Sequence, residues 1–259
     1  MRLRVDILGV GFDPVDLDGA ASRVVRLVET GAPSLVVTAN TEVVMTARHA
    51  ADLAQLLAGA ALVVADGVGV VWASRYLRRP LPARVPGIEL AERLLVEAAR
   101  RGWRVYLLGG RAGTAEEAAS RLRVRYPGLE IVGSAHGFFT PADEPGVVAG
   151  IRAVRPALLF AGLGTPRQER WLARNLAALG VPAAMGIGGS LDVWAGRTPR
   201  APRGMQTVGL EWLYRLAREP RRLRRQLTIP HFMGIIVLNR ALDARRARRE
   251  AAKRAHGSR

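Results

Sequence analysis

The chain contains no cysteine, which excludes disulfides, thiolate catalysis and cysteine-built metal cages and makes a reducing cytoplasm the natural expectation. It has a single lysine, Lys253, so arginine supplies all but one of its 39 basic residues. Histidine is sparse and scattered, at His49, His136, His231 and His256, which leaves no zinc-type cluster. No apolar run approaches the roughly 20 residues of a spanning helix. The opening Met1-Arg2-Leu3-Arg4-Val5-Asp6 meets an acid too early to read as a signal peptide. Ser190 lies outside any G-x-S-x-G elbow, so a serine triad is not supported.

What is present is a 259-residue chain, 49% hydrophobic, enough for one large α/β domain or a domain plus an appendage. The net charge of +17 is unevenly spread: residues 1–196 carry 22 basic and 18 acidic residues, whereas residues 197–259 carry 17 and 4. A basic tail of that kind calls for an anionic partner, nucleic acid or a membrane surface.

Short apolar runs alternate with helical periodicity along residues 1–196. Leu3–Leu8 reads as a first strand, followed by a turn over Gly9–Pro14 and a helix from about Asp18. Ser34–Thr38 is a β-branched strand whose exit carries Thr38 and Asn40, and a helix through about Leu57 follows. Leu62–Ala65 is a buried strand ending abruptly in Asp66-Gly67. Further strands are expected at Arg104–Leu108, Glu130–Val132, Ala157–Ala161 and Pro182–Ile187, each followed by a glycine-bearing loop: Gly109-Gly110, Gly137, Gly162–Glu169 and Gly188–Asp192. This pattern predicts an α/β, doubly wound, mostly parallel Rossmann-like sheet, with ligand groups collected at the carboxyl ends of the strands.

Asp66 is placed there either as a base or as the N-cap of the helix beginning near Val68. Asn40 has the same two readings. Gly9 and Gly11 begin a dinucleotide fingerprint that Pro14 breaks. Gly109-Gly110 would let backbone N–H groups approach a phosphate, or is an ordinary βα turn. Asp16-Leu17-Asp18 matches a D-x-D metal site formally, but it opens a helix, where capping is the better reading. The proline-rich segment Arg78–Gly87 reads as an ordered loop over the site. Beyond Gly196 the texture changes: basic clusters flank the apolar run Phe232–Leu238, which either lies on a membrane surface or packs as a core helix with a basic end.

Several strings, in this order and spacing, resemble the WecG/TagA/CpsF family of bacterial glycosyltransferases. They include Thr38-Ala39-Asn40, Ala65-Asp66-Gly67-Val68-Gly69, Arg84-Val85-Pro86-Gly87, Gly162–Glu169, Arg200-Ala201-Pro202 and Gly209–Leu216. The resemblance implies inverting, metal-independent transfer of N-acetylmannosamine, or its uronic acid, from UDP to a polyprenyl-diphosphate-linked N-acetylglucosamine, with no cofactor. It implies that Asp66 is the general base, with Thr38, Asn40 and Arg84 beside it. Substrate contacts are then expected at Gly109, Gly110, Gly137, Gln168, Glu169, Gly188 and Asp192. It further implies a division into a catalytic domain, 1–196, and a helical basic appendage, 197–259, that binds the inner face of the cell membrane and lends Arg215, Arg222 and Arg225 to the site. No nucleic-acid partner is expected, and a homo-oligomer is left open. A nucleotide-binding oxidoreductase and a nucleic-acid-binding protein are the rival readings; the first lacks a full glycine fingerprint and the second lacks aromatics interleaved with its arginines.

Overall fold

The computed structural model describes residues 4–202, 204–205, 213–214, 216 and 227–256. Six strands form one sheet in the order β4-β3-β8-β7-β5-β6, with every pairing parallel. They are β3 (Leu35–Ala39), β4 (Leu62–Ala65), β5 (Arg104–Gly109), β6 (Glu130–Ala135), β7 (Leu158–Gly162) and β8 (Ala183–Gly186). Their side chains alternate between two apolar layers: Val36, Leu62, Val64 and Phe160 face one, Val37, Val63 and Leu159 the other. The first layer is closed by α1 (Leu17–Thr30), α5 (Gly87–Arg101), α6 (Thr114–Arg125) and α9 (Ser190–Trp194). The second is closed by α2 (Thr41–Ala47), α3 (Ala51–Gly59), α4 (Val68–Tyr76), α7 (Glu144–Ala153) and α8 (Arg167–Leu179). Helices on both faces of a parallel sheet are the doubly wound, Rossmann-like α/β architecture that alternating apolar runs predict.

Two local expectations are corrected. The first strand does not join the main sheet: β1 (Val5–Ile7) turns back at once into β2 (Val10–Phe12) as an antiparallel hairpin. Leu8 and Gly9 make that turn with φ of 55° and 87°, the positive values a tight hairpin demands. The Gly9–Pro14 stretch is therefore strand and edge cover rather than the turn expected there. Asp13 accepts from the Val63 N–H at 2.8 Å while its own N–H donates to the Val63 carbonyl at 2.8 Å, so the outer edge of β4 is sealed. Arg4 and Arg23 neutralise its buried carboxylate at 3.1 and 2.7 Å.

The single helix expected from Thr41 to Leu57 is two, broken at Arg48–Ala50, where the Arg48 and His49 N–H groups close the last turn of α2. The apolar run at 232–238, for which a membrane surface and a core-packed helix were the two readings, lies in the long helix α10 (Thr228–His256). Phe232 and Ile236 are fully buried in the layer that holds α2 and α4, whereas Val237 and Leu238 are exposed. Only part of that run is available to a membrane surface. Arg240 secures the helix by donating to the Tyr76 carbonyl at 2.6 Å, its guanidinium 4.4 Å from the Tyr76 ring centroid. Among the described residues no helix is long and apolar enough to cross a membrane. The chain just past Gly196 is also tied down: Arg197 binds Thr114 and Glu117, and Arg200 binds Glu89.

Candidate active site

The parallel register of β3 with β4 pairs Thr38 with Val64 and Ala39 with Ala65. One further bond, from the Asp66 N–H to the Ala39 carbonyl at 3.0 Å, carries the ladder past the end of β4. Thr38, Asn40 and Asp66 are thereby delivered to one edge of the sheet by backbone pairing alone. The N-cap position of α4 belongs to Gly67, so Asp66 stands one residue before the cap. Asn40 does cap: its Oδ1 accepts from the N–H groups of Glu42 and Val43 at 3.0 and 3.1 Å. The capping bond orients its amide at the wall of the same cavity.

That cavity, about 420 Å³, lies over the carboxyl ends of β4, β3, β8 and β7. Its size falls within the roughly 300–1,000 Å³ common for small-molecule sites. Thr38, Asn40, Asp66, Arg84, Gln168, Gly188 and Asp192 all line it, so seven residues singled out from sequence converge. The proline-rich loop crosses from the α4 face of the sheet to the α5 face above this edge. It is pinned where the Val85 N–H donates to the Ala65 carbonyl at 2.7 Å, which seats Arg84 beside Asp66. Gly87 then opens α5 in the only way the floor permits: a Cβ there would sit 2.8 Å from the Thr38 hydroxyl and 3.6 Å from Asp66 Oδ2.

The opposite wall is built by the turn before α8 and by the first turn of α8 itself. Gln168 is buried, with its Oε1 accepting from the Gly188 N–H at 3.1 Å and its Nε2 donating to Glu169 at 2.9 Å. Gly186 makes room, since a Cβ there would lie 2.6 Å from that nitrogen. Glu169 does not line the cavity; it is buried behind Gln168, and burial pushes its carboxyl above the ordinary carboxylate range. Sequence reasoning missed Thr165 and Gly186 as wall residues and Ile229, which α10 brings to the cavity.

Gly109, Gly110 and Gly137 do not line the cavity. Their glycine identity has a packing cause: a Cβ on Gly109 would run into the Gly162 carbonyl, and one on Gly110 would sit 2.7 Å from Thr114 Cβ. A Cβ on Gly137 would lie 2.8 Å from Leu163 Cδ2. Arg215, Arg222 and Arg225 lie outside the described residues. The D-x-D string has structural duties, Asp16 capping α1 through the Gly19 N–H at 2.8 Å and Asp18 pairing with Arg93 at 3.0 Å. Among the described residues no three His, Asp or Glu side chains gather where they could hold a metal ion.

A carboxylate on the floor of a cavity, an arginine beside it and amides on both walls form a set suited to proton abstraction from a hydroxyl next to a bound anion. Comparison with known proteins agrees in kind. The model of the glycosyl transferase WecG/TagA/CpsF family matches residues 5–247. The N-acetylglucosaminyldiphosphoundecaprenol N-acetyl-beta-D-mannosaminyltransferase of Staphylococcus aureus strain MW2 is 36% identical over 232 residues, covering 89% of this chain and 91% of that protein. The enzymes of the same name from strains NCTC 8325 / PS 47 and COL match at 36% over the same shares. With the match spanning nearly the whole sheet, the site and much of α10, the chain belongs to the WecG/TagA/CpsF family of glycosyl transferases.

Proposed function

We propose that this glycosyltransferase moves N-acetylmannosamine, or a related N-acetylhexosamine or uronic acid, from UDP to a polyprenyl-diphosphate-linked N-acetylglucosamine during surface-polymer synthesis. The observation that carries the reading is the position of Asp66, delivered by the sheet to the floor of the cavity, one residue before the α4 N-cap. Asp66 takes the proton of the acceptor hydroxyl as that oxygen attacks the anomeric carbon, and the C1–O bond to UDP breaks on the opposite face with inversion. Arg84, on the cavity wall, supplies forked hydrogen bonds to the leaving diphosphate. Thr38 and Asn40 fix the acceptor hydroxyl near the carboxylate, while Gln168, Gly188 and Asp192 meet the donor. Arg215, Arg222 and Arg225 complete the cationic side. No metal takes part in this reading, consistent with the structural duties of Asp16 and Asp18.

The acceptor is a lipid, so the enzyme works at the cytoplasmic face of the membrane as a peripheral protein. The +13 charge of residues 197–259 supports this, each basic residue near an anionic surface contributing about 1 kcal/mol. The exposed Val237 and Leu238 add apolar contact. The test is a panel of UDP-sugars offered with a short-chain polyprenyl-diphosphate N-acetylglucosamine, with and without EDTA, reading UDP release and the product anomer. Transfer from UDP-N-acetylmannosamine that survives EDTA is expected. Transfer from a different UDP-sugar alone would overturn the donor assignment, and strict metal dependence would overturn the cationic role given to arginine.

A further inference from the structure

Glu169 is buried, does not line the cavity, and yet is bonded to two side chains that do. Its Oε1 accepts from Gln168 Nε2 at 2.9 Å and from the Thr165 hydroxyl at 3.2 Å. Its Oε2 is buried with no hydrogen-bond partner among the described residues. A buried carboxyl group with an unsatisfied oxygen works against folding, and its presence beside a binding cavity points to a duty other than stability.

We propose that Glu169 is a positioning residue: through one carboxylate oxygen it holds Gln168 and Thr165 on the cavity wall and commits Gln168 to meet the substrate as a hydrogen-bond donor. A glutamine amide can turn either its oxygen or its NH₂ group toward a ligand, and its partners decide which. Here the oxygen is spent on the Gly188 N–H and one N–H on Glu169. Turning the amide over would set oxygen against oxygen at Glu169 and N–H against N–H at Gly188, so the flip is closed. The second N–H remains for the ligand. The group it recognises is an acceptor oxygen of the nucleotide sugar, on the diphosphate or on the acetamido carbonyl. The inference rests on the cavity being the nucleotide-sugar site.

The test compares Glu169→Ala, Glu169→Gln, Gln168→Ala and the Gln168→Ala/Glu169→Ala double variant, each measured on the nucleotide sugar that the wild type turns over. Loss of one oriented hydrogen bond corresponds to roughly a 3- to 10-fold rise in donor KM. Glu169→Ala and Gln168→Ala are each expected to show it, and the double variant to be no worse than Gln168→Ala, because one interaction is being removed by two routes. Glu169→Gln keeps an oxygen that can accept both bonds and is expected to restore donor KM to near the wild-type value. Calorimetric binding of UDP places the contact: weaker UDP binding in Glu169→Ala assigns it to the diphosphate, unchanged UDP binding with a raised donor KM assigns it to the acetamido group, and both outcomes support the proposal. A folded Glu169→Ala enzyme with a lower melting temperature but wild-type KM would make Glu169 merely structural and overturn it, as would losses that multiply in the double variant. A silent Gln168→Ala would also overturn it while leaving the glycosyl transfer itself standing.

Discussion

Gly87→Ala adds one methyl group and removes no polar atom, so it probes the geometry of the site floor without touching its chemistry. The new Cβ would lie 2.8 Å from the Thr38 hydroxyl, where 3.4 Å is the near limit of ordinary contact, so Thr38 has to retreat by about 0.6 Å or α5 has to shift. The same methyl would stand 3.6 Å from Asp66 Oδ2, between the base and the wall that orients its substrate. Stability is pulled both ways: alanine at a helical position gains up to about 1 kcal/mol over glycine, and overpacking costs about 1–3 kcal/mol. The net change in melting temperature is therefore small. Rate is not so protected, because a displacement of about 1 Å in a reacting arrangement costs on the order of 100-fold. We expect kcat to fall about 10- to 100-fold in a UDP-release assay, with UDP binding near normal. Gly59→Ala, in α3, is the control, since a Cβ there meets nothing within 4 Å; it should leave the rate unchanged and raise stability by at most about 1 kcal/mol. A folded Gly87→Ala enzyme with wild-type kcat would refute the placement of chemistry between Thr38 and Asp66.

Asp13→Ala removes a buried carboxylate held by Arg4, Arg23 and the Val63 N–H, and breaking such a group costs about 3–5 kcal/mol; a large fall in melting temperature is expected by calorimetry, and a shift of under a degree would deny the edge-sealing role. Phe232→Ala removes a fully buried ring from the contact of α10 with the α2–α4 layer, worth about 3–5 kcal/mol. Protease cleavage within 227–242 should accelerate in that variant, and unchanged protection would show that α10 is held by other means. Burial raises the Glu169 carboxyl above its ordinary pKa of 4.5, so its neutral form is favoured by folding and that contribution is lost as pH rises through the raised value. The stability of Glu169→Gln relative to wild type should therefore improve from pH 4 to pH 8; a difference independent of pH would contradict the direction of the shift.

Much of the sheet was legible because buried parallel strands write themselves as short apolar runs closed by Gly or Asp, as at Leu62–Ala65 and Leu158–Gly162. Three-residue strands carry too little pattern, which is why the β1–β2 hairpin read as one strand and a loop. The break at Arg48–Ala50 was hidden because apolar periodicity runs on across it. At the site, Thr38, Asn40, Asp66, Arg84 and Gln168 were legible as polar groups at strand exits or in the loops above them, a place fixed by topology. Gly109 and Gly110 misled for physical reasons: backbone approach between β5 and β7 demands glycine at Gly109 as strongly as a phosphate would, and the Thr114 side chain occupies the place of a Cβ at Gly110. Ile229 gave no local signal at all, since it reaches the cavity only because α10 packs on α2 and α4.

The central claim is that Asp66 is the base, and Asp66→Asn tests it most directly because the substitution keeps size and much of the hydrogen bonding while abolishing proton acceptance. Turnover with the UDP-sugar and lipid-linked acceptor should fall by about 10²- to 10⁴-fold, while calorimetric UDP affinity stays within a few-fold and the melting temperature is preserved. Near-normal turnover by a correctly folded Asp66→Asn enzyme would contradict the account.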